Sequence, residues 1–254
     1  MEKIKFKSKK YVKFNKKYYE ISRNQLLIMD ALLYDGSLKK YIDSNKKVRF
    51  SEHFGLLDFN FKKLEKIIIS GDSSREDDDD IEILFPNNLN DIVDYEFMFH
   101  THPPIKNRIK EGIIYEFPSI NDIFHFINYF NKGLTQGSLI IAKEGIYVIT
   151  VKSKIKKIKY NIKEEDKIME LLQNELFNIH SQSIKKYGKK FNDYFYNKNI
   201  ISDRTFIDKF NKKIKKMFNN QIKIKYYNRV YEKKTKSWII KSLFLRVSAI
   251  EPIK

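Results

Sequence analysis

Two histidines separated by one residue, His100 and His102, stand at the end of a short segment rich in aromatic and apolar side chains. The segment Tyr95–His100 is predicted to be a strand, and side chains two residues apart on a strand point to the same face. The two imidazoles can therefore converge on one metal ion. A catalytic zinc site also needs a third protein ligand and an open position. Asp122, one turn into the helix predicted to begin near Ser119, can supply that ligand.

Each part of this pattern also has an ordinary structural interpretation. A His-x-His pair is often two histidines that satisfy their hydrogen bonds in the core or at the surface. Ser119 and Asp122 form a capping pattern, with serine as the N-cap and an acid at the third helical position. The two interpretations are compatible, because Ser119 can cap the helix while Asp122 turns towards a metal. A strand, two histidines, a proline stop at Pro103, a loop and an acidic helix start together favour the metal site.

These segments resemble the signature of the JAMM (MPN+) zinc metalloprotease family. The signature is H-x-H followed by S-x-x-D, and the chain has His100-Thr-His102 and Ser119-Ile-Asn-Asp122. The family also places a glutamate earlier, in a segment similar to E-x-x-G-L-L. Here the segment EHFGLL begins at Glu52, and the order of the three segments matches the family.

The resemblance implies a role for each matching residue. His100, His102 and Asp122 would be the three zinc ligands. Glu52 would be the general base that takes a proton from the attacking water and later protonates the leaving amine. Ser119 would donate a hydrogen bond to the oxyanion. The implied activity is that of a zinc-dependent isopeptidase, a deubiquitinase-like hydrolase whose partners are conjugates of ubiquitin or a ubiquitin-like modifier on lysine.

The resemblance covers about residues 20–151 and includes the predicted hairpin SLIIAKEGIYVI, which is similar to the strands that close the family's sheet. The chain departs from the family's pattern in two places. The loop between His102 and Ser119 holds 16 residues, which is long for the family, and would shape access to the site. The segment after Glu52 lacks a second glycine that is often found there. The chain from residue 156 onward resembles no family.

The predicted fold class is α/β (α+β), with a mixed β-sheet flanked by helices of the JAMM/MPN type. We expect a metalloprotease domain in residues 1–155 and a basic α+β extension in residues 156–254. The predicted helices are 25–42 with a break near Gly36, 118–130, 164–186 and 203–218. The predicted strands are Ile4–Lys7, Tyr11–Phe14, Tyr18–Ser22, Val48–Phe61, Ile67–Ser70, Ile81–Phe85, Tyr95–His100, Ser138–Ala142 and Ile146–Val151, followed by a hairpin of Ile222–Tyr227 with Trp238–Val247.

The net charge of +18 is concentrated in one part of the chain. Residues 1–150 carry 23 basic and 22 acidic side chains, whereas the remaining 104 residues carry 27 basic and 10 acidic ones. This asymmetry suggests an acidic partner, although lysine enrichment from an AT-rich genome explains it as well. The alternative function is therefore an inactive JAMM-like scaffold whose basic region binds nucleic acid or an acidic protein. Its lysines are interleaved with aromatic residues that could stack on bases: Tyr194, Phe195, Tyr196, Tyr226, Tyr227 and Trp238.

The chain contains no cysteine, which excludes disulfides, thiolate metal sites and thiol nucleophiles. It has no signal-peptide pattern and no apolar run long enough to span a membrane. We therefore expect a soluble intracellular protein, cytoplasmic or nuclear, or in the host cytoplasm if the source is a virus. Of the other histidines, His53 and His180 are expected to be structural or exposed, and His125 is the one that could support the site.

Overall fold

The computed structural model describes residues 18–38, 40–42, 48–60, 63–74, 95–104, 113–152, 155, 157–188 and 198–246. The helices are α1 (Arg23–Leu38), α2 (Ile120–Asn131), α3 (Glu165–Tyr187), α4 (Lys198–Ile201) and α5 (Thr205–Met217), with a 3-10 turn at Ile162–Glu164. The strands are β1 (Tyr18–Ile21), β2 (Lys40–Ile42), β3 (Val48–Asn60), β4 (Lys63–Ser74), β5 (Phe97–His102), β6 (Gly137–Ala142), β7 (Gly145–Val151), β8 (Ile222–Asn228), β9 (Val230–Glu232), β10 (Ser237–Ile239) and β11 (Leu243–Arg246).

In this part of the chain one large mixed sheet organises the fold. Its strand order is β11-β1-β4-β3-β5-β6-β7-β8, with β2 paired to β3, while β9 and β10 form a separate hairpin. Neighbouring strands are antiparallel except for β1 with β4 and β5 with β6. Parallel strands require a crossover, and α2 provides it between β5 and β6. The loop that leaves β5 therefore starts at the carboxyl end of a parallel strand, where α/β sheets commonly bind ligands.

Alternating side chains along the strands build a core on each face of the sheet. Phe97 and Phe99 of β5 belong to the core covered by α1, whose Leu26 and Met29 are buried in it. Met98 belongs to the opposite core, which also includes buried residues of α2, α3, α5 and β8. Because residue 98 shares its face with residues 100 and 102, both histidines point to the side of α2. None of the described helices combines the length and apolarity needed to cross a bilayer.

The C-terminal strands lie at the two edges of the sheet. β8 pairs antiparallel with β7, and β11 pairs antiparallel with β1. The predicted hairpin between Ile222–Tyr227 and Trp238–Val247 is therefore wrong. The second segment splits into β10 and β11, and β10 pairs with β9 instead. Alternate side chains of β8 are buried in the core that also includes α5. This burial determines which strand β8 pairs with, and it outweighs the closeness of the two segments in the sequence. The division into residues 1–155 and 156–254 stays a prediction.

The mixed sheet and the flanking helices confirm the α+β class, and the helix predicted over 118–130 corresponds to α2. The predicted break near Gly36 is wrong, because α1 continues through it to Leu38. Gly36 is buried, and a Cβ atom there would clash with the Ser51 carbonyl oxygen, so this glycine permits a close helix–strand approach. Several predicted segments lie outside the described residues: Ile4–Lys7, Tyr11–Phe14, Ile81–Phe85, residues 105–112 of the long loop, and Tyr194, Phe195 and Tyr196.

A similar close approach explains the glycine of the EHFGLL segment. Gly55 lies opposite Phe99 on β5 and beside a register shift between β3 and β4. A Cβ atom at this position would clash with the Phe99 ring and with the Ile68 carbonyl oxygen. Glycine is thus required by the packing of three adjacent strands, three residues after Glu52.

Candidate metal centre

The two histidines lie at the carboxyl end of β5, in a strand whose six residues are all buried. β5 continues through His102, two residues further than predicted, because His102 remains in register with Ala142 of β6. His100 is 6% exposed and His102 is 5% exposed. Their Nε2 atoms are 3.0 Å apart. The ring of Phe54 on β3 stacks against the His100 ring and fixes its plane.

Asp122 reaches this pair from the first turn of α2. Its Oδ1 lies 3.0 Å from His100 Nε2, and its Oδ2 lies 3.4 Å from His102 Nε2. Burial alone would raise the pKa of this carboxyl. The charge of His100 and the hydrogen bonds with both rings outweigh burial and hold the pKa of Asp122 well below its usual value. A carboxylate kept ionised between two imidazoles has the charge state that a metal ligand requires.

Ser119 is the N-cap of α2, as the sequence predicts. The Asp122 backbone N–H donates to Ser119 Oγ at 3.1 Å, and the Ser119 backbone N–H donates to Asp122 Oδ2 at 2.6 Å. This capping box positions the Asp122 carboxylate while leaving it in contact with both histidines. The Ser119 side chain is exposed on the open side of the site. Its role towards an oxyanion stays a prediction.

Glu52 approaches the histidines from the neighbouring strand. β3 and β5 are antiparallel, with Phe54 opposite His100, so Glu52 comes to lie next to His102. Ligand atoms of Glu52, His100 and His102 all lie within 4.8 Å of one another, and this group could hold a metal ion. Glu52 is only partly buried, unlike the two histidines. Asp122 is partly buried as well, so both carboxylates lie on the more accessible side of the two buried imidazoles.

The spacing of the donor atoms fits a single small cation. Ligands about 2.0–2.1 Å from a tetrahedral zinc are about 3.3 Å from each other. The three separations among the two Nε2 atoms and the Asp122 oxygens are 3.0, 3.0 and 3.4 Å. Two imidazoles and a carboxylate form a donor set that suits a first-row transition metal. Such a centre could activate water or polarise a carbonyl group.

His102 is also linked to further polar contacts through its other ring nitrogen. Its Nδ1 faces the Glu116 carbonyl oxygen at 3.4 Å, as is usual for the second ring nitrogen of a metal-ligating histidine. The Glu116 backbone N–H donates to Glu144 Oε1 at 2.6 Å, and Tyr147 also donates to that oxygen at 2.6 Å. Glu144 is fully buried, and burial raises its pKa to about 7, assisted by the charge of Glu116 and opposed by the hydrogen bond from Tyr147.

The structure brings together all five residues predicted for the site, but Glu116 and Glu144 were missed. Glu144 lies in the sequence Lys-Glu-Gly, which is typical of an exposed hairpin turn, so no sequence signal indicated its burial. The remaining histidines have separate environments. His53 pairs with Asp35 at 3.2 Å, and His180 contacts the Phe117 ring. His125 lies near the site, and burial lowers its pKa. The charge of Asp122 partly opposes this shift, and the charge of His100 adds to it.

Comparison with known proteins identifies a viral relative. No protein-family model matches the chain, and no solved structure matches it. The chain is 36% identical over 242 residues to "Uncharacterized protein R413" of Acanthamoeba polyphaga mimivirus. The match covers 90% of this chain but 65% of the mimivirus protein, so the chain spans slightly less than two thirds of that relative's length. The chain is thus similar to a mimivirus protein over most of its own length.

Proposed function

We propose that the protein is a zinc-dependent isopeptidase that removes ubiquitin or a ubiquitin-like modifier from lysine. The observation that carries the proposal is the convergence of His100 Nε2, His102 Nε2 and the Asp122 carboxylate, with separations of 3.0–3.4 Å. These atoms come from two elements separated by a long loop in the sequence. Besides forming hydrogen bonds and ion pairs with one another, they offer two imidazole nitrogens and a carboxylate within reach of one cation.

Each residue of the site then has its own role in the reaction. His100, His102 and Asp122 would hold the ion. Zinc, when bound, lowers the pKa of a water molecule to about 7 and polarises the scissile carbonyl group. The Glu52 carboxylate accepts a proton from the attacking water and delivers it to the nitrogen of the leaving lysine amine. The Ser119 hydroxyl accepts the Asp122 N–H, and its own hydrogen can be donated to the developing oxyanion.

The substrate class follows from the resemblance to JAMM proteases over residues 20–151. That resemblance joins the EHFGLL segment, the two histidines and the capped helix start, which lie on three different elements of the fold. The described segment that leads into α2 lies in the core, with Tyr115 and Phe117 buried.

Purified protein loaded with zinc is expected to cleave ubiquitin chains, and a zinc chelator should abolish cleavage. Readdition of zinc should restore activity, because the ligands belong to a folded site. Cleavage is followed by gel electrophoresis of chains of defined linkage, together with a chain of a ubiquitin-like modifier. Cleavage that persists unchanged in the chelator, or no cleavage of any modifier by the zinc-loaded protein, would contradict the proposal.

The alternative of an inactive scaffold with a nucleic-acid-binding extension receives mixed support. The Lys225 ammonium lies over the Tyr227 ring at 4.6 Å from its centre, an arrangement of charge and aromatic surface that suits stacked bases. Tyr226, however, is 3% exposed and donates its hydroxyl to two backbone carbonyls, so its predicted stacking role is wrong. The intact convergence of metal-ligating groups favours a catalytic protein. Binding of an acidic partner through residues 156–254 stays a prediction.

A further inference from the structure

A buried carboxyl group links the β6–β7 turn to the candidate metal centre. Glu144 is 0% exposed and directly precedes β7. Its Oε1 accepts hydrogen bonds from the Glu116 backbone N–H and from the Tyr147 hydroxyl, both at 2.6 Å. A charged or polar group removed from water in this way is costly unless its position serves a purpose. The other carboxyl oxygen, Oε2, is buried without a hydrogen-bond partner, which adds to that cost.

The partner of Glu144 is a backbone that no helix or strand holds in place. Residues 113–119 have no regular secondary structure, so the peptide groups of Glu116 are not fixed by a ladder of hydrogen bonds. Its N–H is held by Glu144, and its carbonyl oxygen faces His102 Nδ1 at 3.4 Å. The orientation of this single residue therefore connects the Glu144 carboxyl to the His102 ring.

The same segment is fastened from the C-terminal part of the chain. The Tyr115 hydroxyl donates to the Ile200 carbonyl oxygen at 2.7 Å. The Tyr226 hydroxyl lies 2.9 Å from the Ile201 carbonyl oxygen and 3.0 Å from the Glu144 carbonyl oxygen. The turn that carries Glu144 is thus tied to α4 and β8. These contacts give the carboxyl a fixed position from which it can orient Glu116.

We propose that Glu144 is a positioning residue, which acts through the Glu116 peptide to hold His102 with its Nδ1 protonated and its Nε2 directed at the metal. This inference rests on the proposed function, because it assigns His102 as a metal ligand. A neutral imidazole binds a metal through one nitrogen, and a hydrogen bond at the other nitrogen selects the tautomer. Loss of such a supporting contact typically lowers metal affinity or activity by about 10–100-fold.

The test compares Glu144→Met with Glu144→Gln in the full chain. Methionine has a similar length and suits a buried site, but it cannot accept the Glu116 N–H. We expect Glu144→Met to weaken zinc affinity by about 10–100-fold in a competition titration with a chromogenic chelator. Glutamine retains an acceptor oxygen, so Glu144→Gln should recover most of the affinity. Equal zinc affinity in wild type and Glu144→Met would overturn the proposal.

Glu96→Met provides a matched control. Glu96 is also a buried carboxyl that accepts a backbone N–H, from Phe59 at 2.9 Å, but it precedes the opposite end of β5. Six residues of strand place it about 20 Å from His102 along the chain. Its replacement should leave zinc affinity unchanged. A loss equal to that of Glu144→Met would show that the effect is general destabilisation, which would also overturn the proposal.

A second measurement needs neither zinc nor a Glu144 variant. Nitrogen-15 NMR of the histidine rings in the metal-free wild type reports the tautomer, with His102 assigned from the signal lost in His102→Gln. We expect a proton on Nδ1, whether or not Nε2, which faces the Asp122 carboxylate, also carries one. An unprotonated Nδ1 would contradict the positioning role. If the wild type binds no zinc, the proposed function fails, whereas an unprotonated Nδ1 overturns the positioning role by itself.

Discussion

Replacement of Glu52 by glutamine is expected to lower the rate of isopeptide cleavage by about 10²–10⁴-fold while zinc remains bound. The two side chains have nearly the same shape, but an amide cannot accept the proton of the attacking water. Glu52 lies on the accessible side of the site, within 4.8 Å of the ligand atoms of the two histidines. The cleavage rate of this variant should therefore fall while its zinc content stays at the wild-type level. The rate is measured with a ubiquitin chain under zinc saturation, and zinc by atomic absorption.

Glu65→Gln is the control for this replacement. Glu65 is an exposed glutamate on β4, the strand next to β3, so its amide should leave both cleavage and zinc content unchanged. A Glu52→Gln protein that cleaves at close to the wild-type rate would exclude Glu52 as the base. A variant that loses its zinc would show instead that Glu52 is a ligand, since the geometry of the histidine pair would allow this.

Replacement of Arg229 by methionine is expected to have the largest effect on stability, a loss of about 3 kcal/mol in the free energy of unfolding. The Arg229 guanidinium donates to both Asp30 oxygens, at 2.8 and 2.6 Å, and its Nε donates to the Lys143 carbonyl oxygen at 2.8 Å. It thereby joins α1, the β6–β7 turn and the end of β8. Methionine would leave the Asp30 carboxylate and the Lys143 carbonyl oxygen, both partly buried, without this donor. Urea unfolding followed by circular dichroism measures the loss.

Arg23→Met is the matched control, because Arg23 also forms a two-bond pair, with Glu232 at 2.9 Å for each contact. Its side chain is 38% exposed, whereas that of Arg229 is 5% exposed. Water and salt screen the exposed pair, so we expect a clearly smaller loss. Equal losses of unfolding free energy in Arg229→Met and Arg23→Met would show that burial does not determine what such an ion pair contributes to stability. Arg229→Lys should recover only part of the stability, because an ammonium cannot reproduce the planar donor pattern.

The convergence of His100, His102 and Asp122 could be predicted from sequence because it depends on local patterns. The two histidines share one strand face by the period of two, and Asp122 follows an N-cap pattern that determines where α2 begins. These two short patterns therefore predicted where three candidate ligand side chains lie: those of His100, His102 and Asp122. The position of Glu52 beside them depends on the register of β3 against β5, which the sequence analysis obtained only through resemblance to a family.

The supporting contacts could not be predicted because they depend on long-range pairing. Glu144 occupies a turn that would be exposed in an isolated hairpin, and it becomes buried only when Tyr226 on β8 and the 113–117 segment cover it. The same reason explains the wrong hairpin prediction. The two C-terminal segments were predicted to pair with each other, but burial of the alternating side chains of β8 next to β7 was decisive.

The most direct test of the metal centre is the zinc content of the purified protein and of two ligand variants. We expect about one zinc per wild-type chain and a loss of bound zinc in both His100→Ala and Asp122→Ala. Circular dichroism should show that both variants retain their secondary structure, since neither side chain belongs to the two hydrophobic cores. A wild-type protein that binds no zinc, or variants that retain it fully, would contradict the convergence of these residues on one ion.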